Sequence, residues 1–160
     1  MQSFKITRAG YNRIQKELNH LIDVERPEII KAIAEARDLG DLSENAEYHS
    51  AKEIQGLVES KINTLSDALA RSEVIDISKL SGKVVDFGAT VTIEDQDTEK
   101  KKTYTLLSEF ESDLDKGIIS ITSPVGQALV GKEKGDEVEI KTPGGVKDYE
   151  ILEVEYKKVN

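Results

Sequence analysis

Two amphipathic stretches separated by one short break restrict the first half of this chain to a single simple packing. From about Thr7 to Asp38, apolar residues recur at helical spacing through Tyr11, Ile14, Leu18, Leu21, Ile22, Ile29, Ala32, Ile33 and Ala36. Thr7 is a suitable N-cap, Gly10 reads as a local weakness, and Pro27 predicts a kink or restart near Arg26. A second stripe runs through Ala51, Ile54, Leu57, Val58, Ile62, Leu65, Ala68 and Leu69. Within it Val58, Ile62, Leu65 and Leu69 alternate steps of four and three, as a coiled-coil seam does. No other apolar segment lies close in sequence and the connection at "LGDLS" is short, so the helices are expected to cover each other as an antiparallel hairpin. Arms of roughly 30 residues would reach ~45 Å. The faces away from the seam, with Glu17, Glu25, Lys31, Glu53, Glu59 and Lys61, are expected to stay in water.

After "EVIDISKLSGK" the apolar period changes to two. "ATVTIED", "KKTYTLLSE", "GIISIT", "GDEVEIKT" and "KDYEILEVEY" read as strands, the last pair around a "PGG" turn. Between them "SPVGQALVGK" describes a short helix, with Ser123 as N-cap, Pro124 at the first helical position and Gly131 past the end. The fold class expected is α+β, with a helical coiled-coil hairpin over residues 1–76 and a β-rich domain over residues 81–160.

Composition narrows the function. The 160 residues carry a net charge of −9, with 38% hydrophobic and 33% charged residues, as in a soluble globular protein with a charged surface. That charge argues against gripping nucleic acid by bulk electrostatics, which relies on Lys and Arg displacing counterions. Without cysteine there is no disulfide, thiolate nucleophile or Cys-ligated zinc, and the histidines, His20 and His49, offer little for a structural metal. No apolar run is long enough for a membrane span and "MQSFKITRAGY" lacks a signal-peptide core, so a cytoplasmic protein with no membrane partner is expected.

The break between the helices gathers acids. In "EARDLGDLSENAEYHSA", Asp38, Asp41, Glu44 and Glu47 follow at intervals of three. Asp41 and Glu44 fit a capping box at the start of the second helix, where both would favour the positive end of the helix dipole. Asp38 and Glu47 are then solvated charges, and Gly40 ends the first helix with a left-handed residue. The same two carboxylates also suit a second role. Magnesium is held by one or two carboxylates plus waters and phosphates, so the end of a long hairpin would bind it weakly alone and well only when another macromolecule completed the shell.

The run "AIAEARDLGDLSENAEYHSAK" closely resembles the signature of the bacterial Gre transcript-cleavage factors, GreA type. Its Gly-Asp-Leu-x-Glu-Asn-x-Glu-Tyr motif is Gly40 through Tyr48 without departure, and the likeness extends through "RPEIIKAIAEAR", "VIDISKL", "FGATVT", "ISITSPVGQALVGKEKGDEVEIKTPGG" and "EVEY". The resemblance implies a coiled-coil domain that enters the secondary channel of bacterial RNA polymerase, and an FKBP-like C-terminal domain that docks at the channel's rim. It implies stimulation of the polymerase's own endonucleolytic cleavage of backtracked nascent RNA at its 3′ end, by a cofactor protein that is not itself a nuclease. Asp41 and Glu44 match the catalytic pair, implied to share a Mg2+ with the polymerase active site and to orient the water; none would be bound tightly by the isolated protein, expected to be a monomer.

The resemblance further makes Arg37 and Lys52 the RNA-contacting basic residues of a tip spanning about residues 37–52. Lysine at position 52 keeps the charge but lacks the bidentate fork of arginine. Gly40, Asn45 and Tyr48 would shape the tip, although Tyr48 could equally pack against the opposite arm. Ser120, Ser123 and Pro124 fall in the stretch resembling the polymerase-docking surface, where strand end and helix cap explain them as well. Prolyl isomerase activity is not expected, because the second half has no tryptophan and only Phe87, Phe110, Tyr104, Tyr149 and Tyr156 to build an aromatic pocket. A channel-occupying inhibitor and a chaperone-like hairpin are the competing readings. The first leaves Asp41 and Glu44 without purpose, and the second leaves the motif without one.

Overall fold

In the computed structural model, residues 2–40 and 45–157 are described. They divide into two compact units, one formed by Gln2 and Tyr11–Ser72, the other by Ser3–Gly10 with the chain from Glu73 onward.

The first unit holds the hairpin. Helix α1 spans Arg8–His20, α2 Arg26–Arg37 and α3 Ala46–Arg71. Between α1 and α2 the helix does not break but widens into a π turn at Leu21–Glu25, with the Arg26 N–H donating to the Leu21 carbonyl five residues back. Pro27 supplies the physical reason. It has no N–H and its ring crowds the carbonyl four residues earlier, so the wider turn absorbs the misfit and α2 restarts with proline in its first turn. The expected restart near Arg26 therefore takes the form of an inserted residue.

Ile14, Leu18, Leu21, Ile29, Ile33 and Ala36 on one arm and Ala51, Val58, Ile62, Leu65 and Ala68 on the other are buried. The arms are antiparallel: Arg26 on α2 forms a two-pronged ion pair with Glu59 on α3, at 2.7 and 2.8 Å, while Asn45 reaches Ala36 at the other end. Lys61 pairs with Glu17 at 2.7 Å. The Arg26 guanidinium holds the Glu59 carboxyl below its ordinary pKa, and the Lys61 ammonium is raised by Glu17. Two members of the expected second stripe depart from it. Ile54 and Leu57 are 49% and 71% exposed, because they turn past the edge of a seam that a two-helix contact can cover only narrowly.

In the second unit, β3 (Thr90–Asp95), β4 (Lys101–Leu107), β5 (Ile118–Ser120), β6 (Glu137–Thr142) and β7 (Gly145–Glu155) form a five-stranded sheet in the order β5-β4-β3-β7-β6. All pairs are antiparallel except β4 with β5. Val91, Ile93, Leu106, Ile119, Val138, Ile140, Tyr149 and Ile151 form a core with Leu129 from helix α4 (Pro124–Leu129). A register shift of β7 between Thr92 and Ile93 of β3 lets both Ile151 and Val154 face that core. The expected cap of α4 is present: Ser123 Oγ accepts the Gly126 N–H at 3.1 Å, and Gly131 follows at φ 85°.

The opposite face of this sheet is mainly acidic, with Lys101 of β4 across from Glu94 and Lys141 on β6 as its lysines among the paired positions of these strands. Glu137, Glu150 and Glu94 lie directly across from one another on β6, β7 and β3, and Glu139 faces Asp148. Like charges in register cost a sheet stability.

A short ribbon was not foreseen. Strand β1 (Phe4–Ile6) pairs with β2 (Ser72–Val74), so the first residues of the chain join the second unit. Its fastening is Glu111, only 2% exposed, whose carboxylate accepts the Thr7 N–H at 3.2 Å and the Thr7 hydroxyl through one oxygen. The other oxygen accepts the Ser108 N–H at 3.2 Å and the Ser108 hydroxyl at 2.8 Å. Thr7 also caps α1 as expected, accepting the Gly10 N–H at 3.0 Å. Gly10 is not a mere weakness, since a Cβ there would collide with the Glu111 carboxylate.

Asp95 marks an acid-sensitive turn. Its carboxylate accepts the backbone N–H groups of Asp97 at 2.8 Å and Thr98 at 3.2 Å, with Lys147 at 3.8 Å. The Asp97 hydrogen bond leads in holding its pKa below the ordinary value. A carboxyl depressed in the folded state contributes stability above the unfolded pKa and loses it as pH falls through the folded value. Thermal melts should therefore be flat near neutrality and decline below about pH 4, with a shallower decline for Asp95→Asn. Parallel pH profiles would contradict this assignment.

Among the described residues no helix is long and apolar enough to cross a membrane.

Candidate functional site

The site expected between the arms is framed by α2 and α3. Helix α2 ends at Arg37, with the Leu39 N–H reaching the Ala36 carbonyl at 3.2 Å. Gly40 follows at φ 134°, with open space around it, so backbone conformation rather than crowding calls for glycine. Asp41 and Glu44 lie outside the described residues, as do Leu42 and Ser43.

The cap of α3 is not Asp41 but Asn45. Its side-chain oxygen accepts the Tyr48 N–H at 3.1 Å, and its amide donates to the Ala36 carbonyl at 2.5 Å. One side chain thus starts α3 and ties it to the end of α2. The expected capping box placed the helix start four residues too early, because an acid-x-x-acid spacing recurs through this segment and the cap was open to any of its members. Asn45→Ala removes the cap and the tie together and is expected to lower stability by about 1–2 kcal/mol. Asn45→Asp, which keeps the acceptor but loses the donor, should fall between in the same melts.

Arg37 and Tyr48 meet across the arms, the guanidinium 6.0 Å from the ring centroid, an arrangement that holds both side chains beside the connection. The alternative of Tyr48 packing against the opposite arm is thus realised, in company with Arg37. Lys52 is exposed, and its ammonium donates to Gln55 on its own helix at 3.2 Å. Arg37 and Lys52 both lie on the two turns flanking the connection.

In the second unit, Ser120 and Ser123 serve mainly the β5–α4 loop. Ser120 Oγ accepts the Thr122 N–H at 3.1 Å, and the Ser123 hydroxyl donates to the Ser120 carbonyl at 2.6 Å. Gly126 is required beneath this loop, since a Cβ would strike the Ser120 carbonyl. The loop is therefore rigid, and Thr122 and Pro124 are its exposed side chains.

With this geometry, two family models match almost end to end: "Transcription elongation factor, N-terminal" over residues 4–74 and "Transcription elongation factor, GreA/GreB, C-term" over residues 80–156. The chain belongs to the GreA/GreB family. A transcription elongation factor GreA from Phenylobacterium zucineum is 54% identical over 156 residues, covering 98% of this chain and 99% of that one. The GreA of Beijerinckia indica is 55% identical over 157 residues, covering 98% and 100%. Among solved structures, the GreA factor homolog 1 (Gfh1) protein of Thermus thermophilus is 28% identical and covers 96% of this chain and 99% of its own, at a TM-score of 0.46.

For this GreA/GreB-family chain the helical hairpin and the β-rich module with its short helix match the expected fold class. Sequence reasoning missed Asn45 as the cap of α3 and Glu111 as the anchor of the N-terminal segment. The Asn45 signal was present in its position before an unbroken helical period. For Glu111 the Ser-Glu-Phe-Glu spacing offered a local capping box with Ser108, but nothing pointed to Thr7 and Gly10, a hundred residues away.

Proposed function

We propose that this protein is a transcription elongation factor that acts on RNA polymerase, inserting its hairpin into the secondary channel and stimulating the enzyme's own cleavage of backtracked nascent RNA. The observation that carries this reading is the motif from Gly40 to Tyr48, intact and set between the paired ends of α2 and α3. Asp41 and Glu44 offer hard carboxylate oxygens, the donor class that Mg2+ takes, and too few to fill an octahedral shell. The remaining ligands would come from the polymerase and the RNA. Bound there, the metal would activate water and stabilise charge in phosphodiester hydrolysis.

The chain's own residues hold and orient. Asp41 and Glu44 belong to a connection whose two ends are tied together by Asn45 and by the Arg37–Tyr48 contact. Arg37 and Lys52 supply positive charge for the RNA backbone against an otherwise acidic chain. Ser120, Ser123 and Pro124 belong to a rigid loop that serves for docking at the channel rim. The factor works as a monomer and catalyses nothing alone.

The test is a stalled, backtracked polymerase complex incubated with Mg2+, with and without the protein. Faster shortening of the RNA from its 3′ end is expected only in its presence, and the protein with RNA alone should leave the RNA intact. An unchanged cleavage rate would refute the reading.

A further inference from the structure

One ring beside the connection holds nothing in the fold together. His49 is exposed on the first turn of α3, where its backbone N–H donates to the Asn45 carbonyl at 3.1 Å. Its imidazole meets the Tyr48 ring edge-on, at 5.6 Å between centroids and 72° between planes. Tyr48 is in turn held by the Arg37 guanidinium at 6.0 Å, so a fixed ring braces an exposed one. Among the described residues no hydrogen bond or ion pair engages the His49 nitrogens, and the cap of α3 is Asn45. Histidine is a weaker helix former than the lysine, glutamine or glutamate that suit an exposed position, so the fold gives no reason for a ring here. Side chains on a helix lean toward its N-terminus, which for α3 is the end at the connection. The turn in that direction carries exposed Ala46, whose methyl group covers little of the imidazole. Lys52 lies three residues beyond His49 and four beyond Tyr48, on the same side of the helix. Arg37, Tyr48, His49 and Lys52, with Glu53 as the neighbouring acid, thus share one flank of the hairpin.

We propose that His49 is a stacking platform for one base of the backtracked RNA, with Arg37 and Lys52 on neighbouring phosphates. The inference rests on the cleavage-stimulating reading above and adds to it a residue that touches the RNA through a base. Single-stranded RNA presents bases that a duplex hides, and aromatic or imidazole rings hold them by their faces while cations follow the backbone. Every base has such a face, so the platform accepts any sequence, as a factor that meets transcripts of every sequence requires. A polymerase whose transcript end is paired to DNA offers no free base. Stacking on His49 therefore favours the backtracked complex, which makes this residue one source of the factor's selectivity.

The test uses the full chain on backtracked complexes, with intact RNA and with RNA carrying an abasic nucleotide at each position of the backtracked segment in turn. On intact RNA, His49→Ala should raise the protein concentration for half-maximal cleavage about tenfold, the size of one lost base stack, with the saturated rate within about threefold. On the abasic RNA that lacks the stacked base, wild type should fall to the level of His49→Ala, and the substitution should cost nothing further because both remove one contact. His49→Phe should restore most of the loss and His49→Gln little of it. The melting temperature of His49→Ala, its binding to core enzyme without RNA, and cleavage by His20→Ala, the control at the other histidine, should match wild type. Losses that add at every abasic position, a glutamine variant that works like wild type, a phenylalanine variant no better than alanine, or core-enzyme binding weakened as much as cleavage would each overturn the proposal. Wild-type protein without effect on cleavage would defeat the functional reading itself, whereas wild-type stimulation with an indifferent His49→Ala defeats the platform alone.

Discussion

Asp41→Asn and Glu44→Gln are each expected to reduce stimulated cleavage about a hundredfold or more, the size of losing roughly 2.7 kcal/mol of transition-state stabilisation. Each change keeps the shape of the side chain and removes the charge that a hard cation requires. Because the cap of α3 is Asn45, neither change touches the hydrogen bond that starts that helix. Melting temperature and polymerase binding should therefore stay near wild type. On the function proposed above, either variant would then bind polymerase without stimulating cleavage, an inhibitor by occupancy. Wild-type cleavage by either variant, measured on a backtracked complex, would return both acids to the status of surface charge.

Glu111→Gln should destabilise the second unit by about 1.5–3 kcal/mol, the range for hydrogen bonds to a charged group. The carboxylate gives one oxygen to Thr7 and the other to Ser108, each receiving a backbone N–H and a hydroxyl. Glutamine has one carbonyl oxygen, so whichever way it turns, its amide faces an N–H that has lost its acceptor. The hydroxyls can rotate to accommodate the amide, but the backbone cannot. Denaturant unfolding would measure the loss, and trypsin cleavage after Lys5 should accelerate as the N-terminal segment loosens. A variant as stable and as resistant as wild type would show that the anchor is replaceable.

Periodicity sufficed where contacts are local. The change from helical spacing to alternation separated hairpin from sheet, and the five strands and the Ser123–Pro124 helix start lie where turn residues and pattern place them. It failed where one residue answers to a distant one. Gly10 read as a local weakness in α1, yet the Glu111 carboxylate packs against it, and Phe4 meets Phe110 across a hundred residues of sequence. Ile54 and Leu57 match the helical period, yet a two-helix seam covers too narrow a face to bury them. At the connection, the spacing of acids suggested a cap and the family likeness a catalytic pair. Asn45 takes the first role.

The row of Glu137, Glu150 and Glu94 bears on how this module can sit within a crowded transcription complex. A surface of aligned carboxylates repels a phosphodiester chain as strongly as it repels itself. That repulsion disfavours contact between this face of the sheet and a nucleic-acid backbone, and it weakens as salt rises.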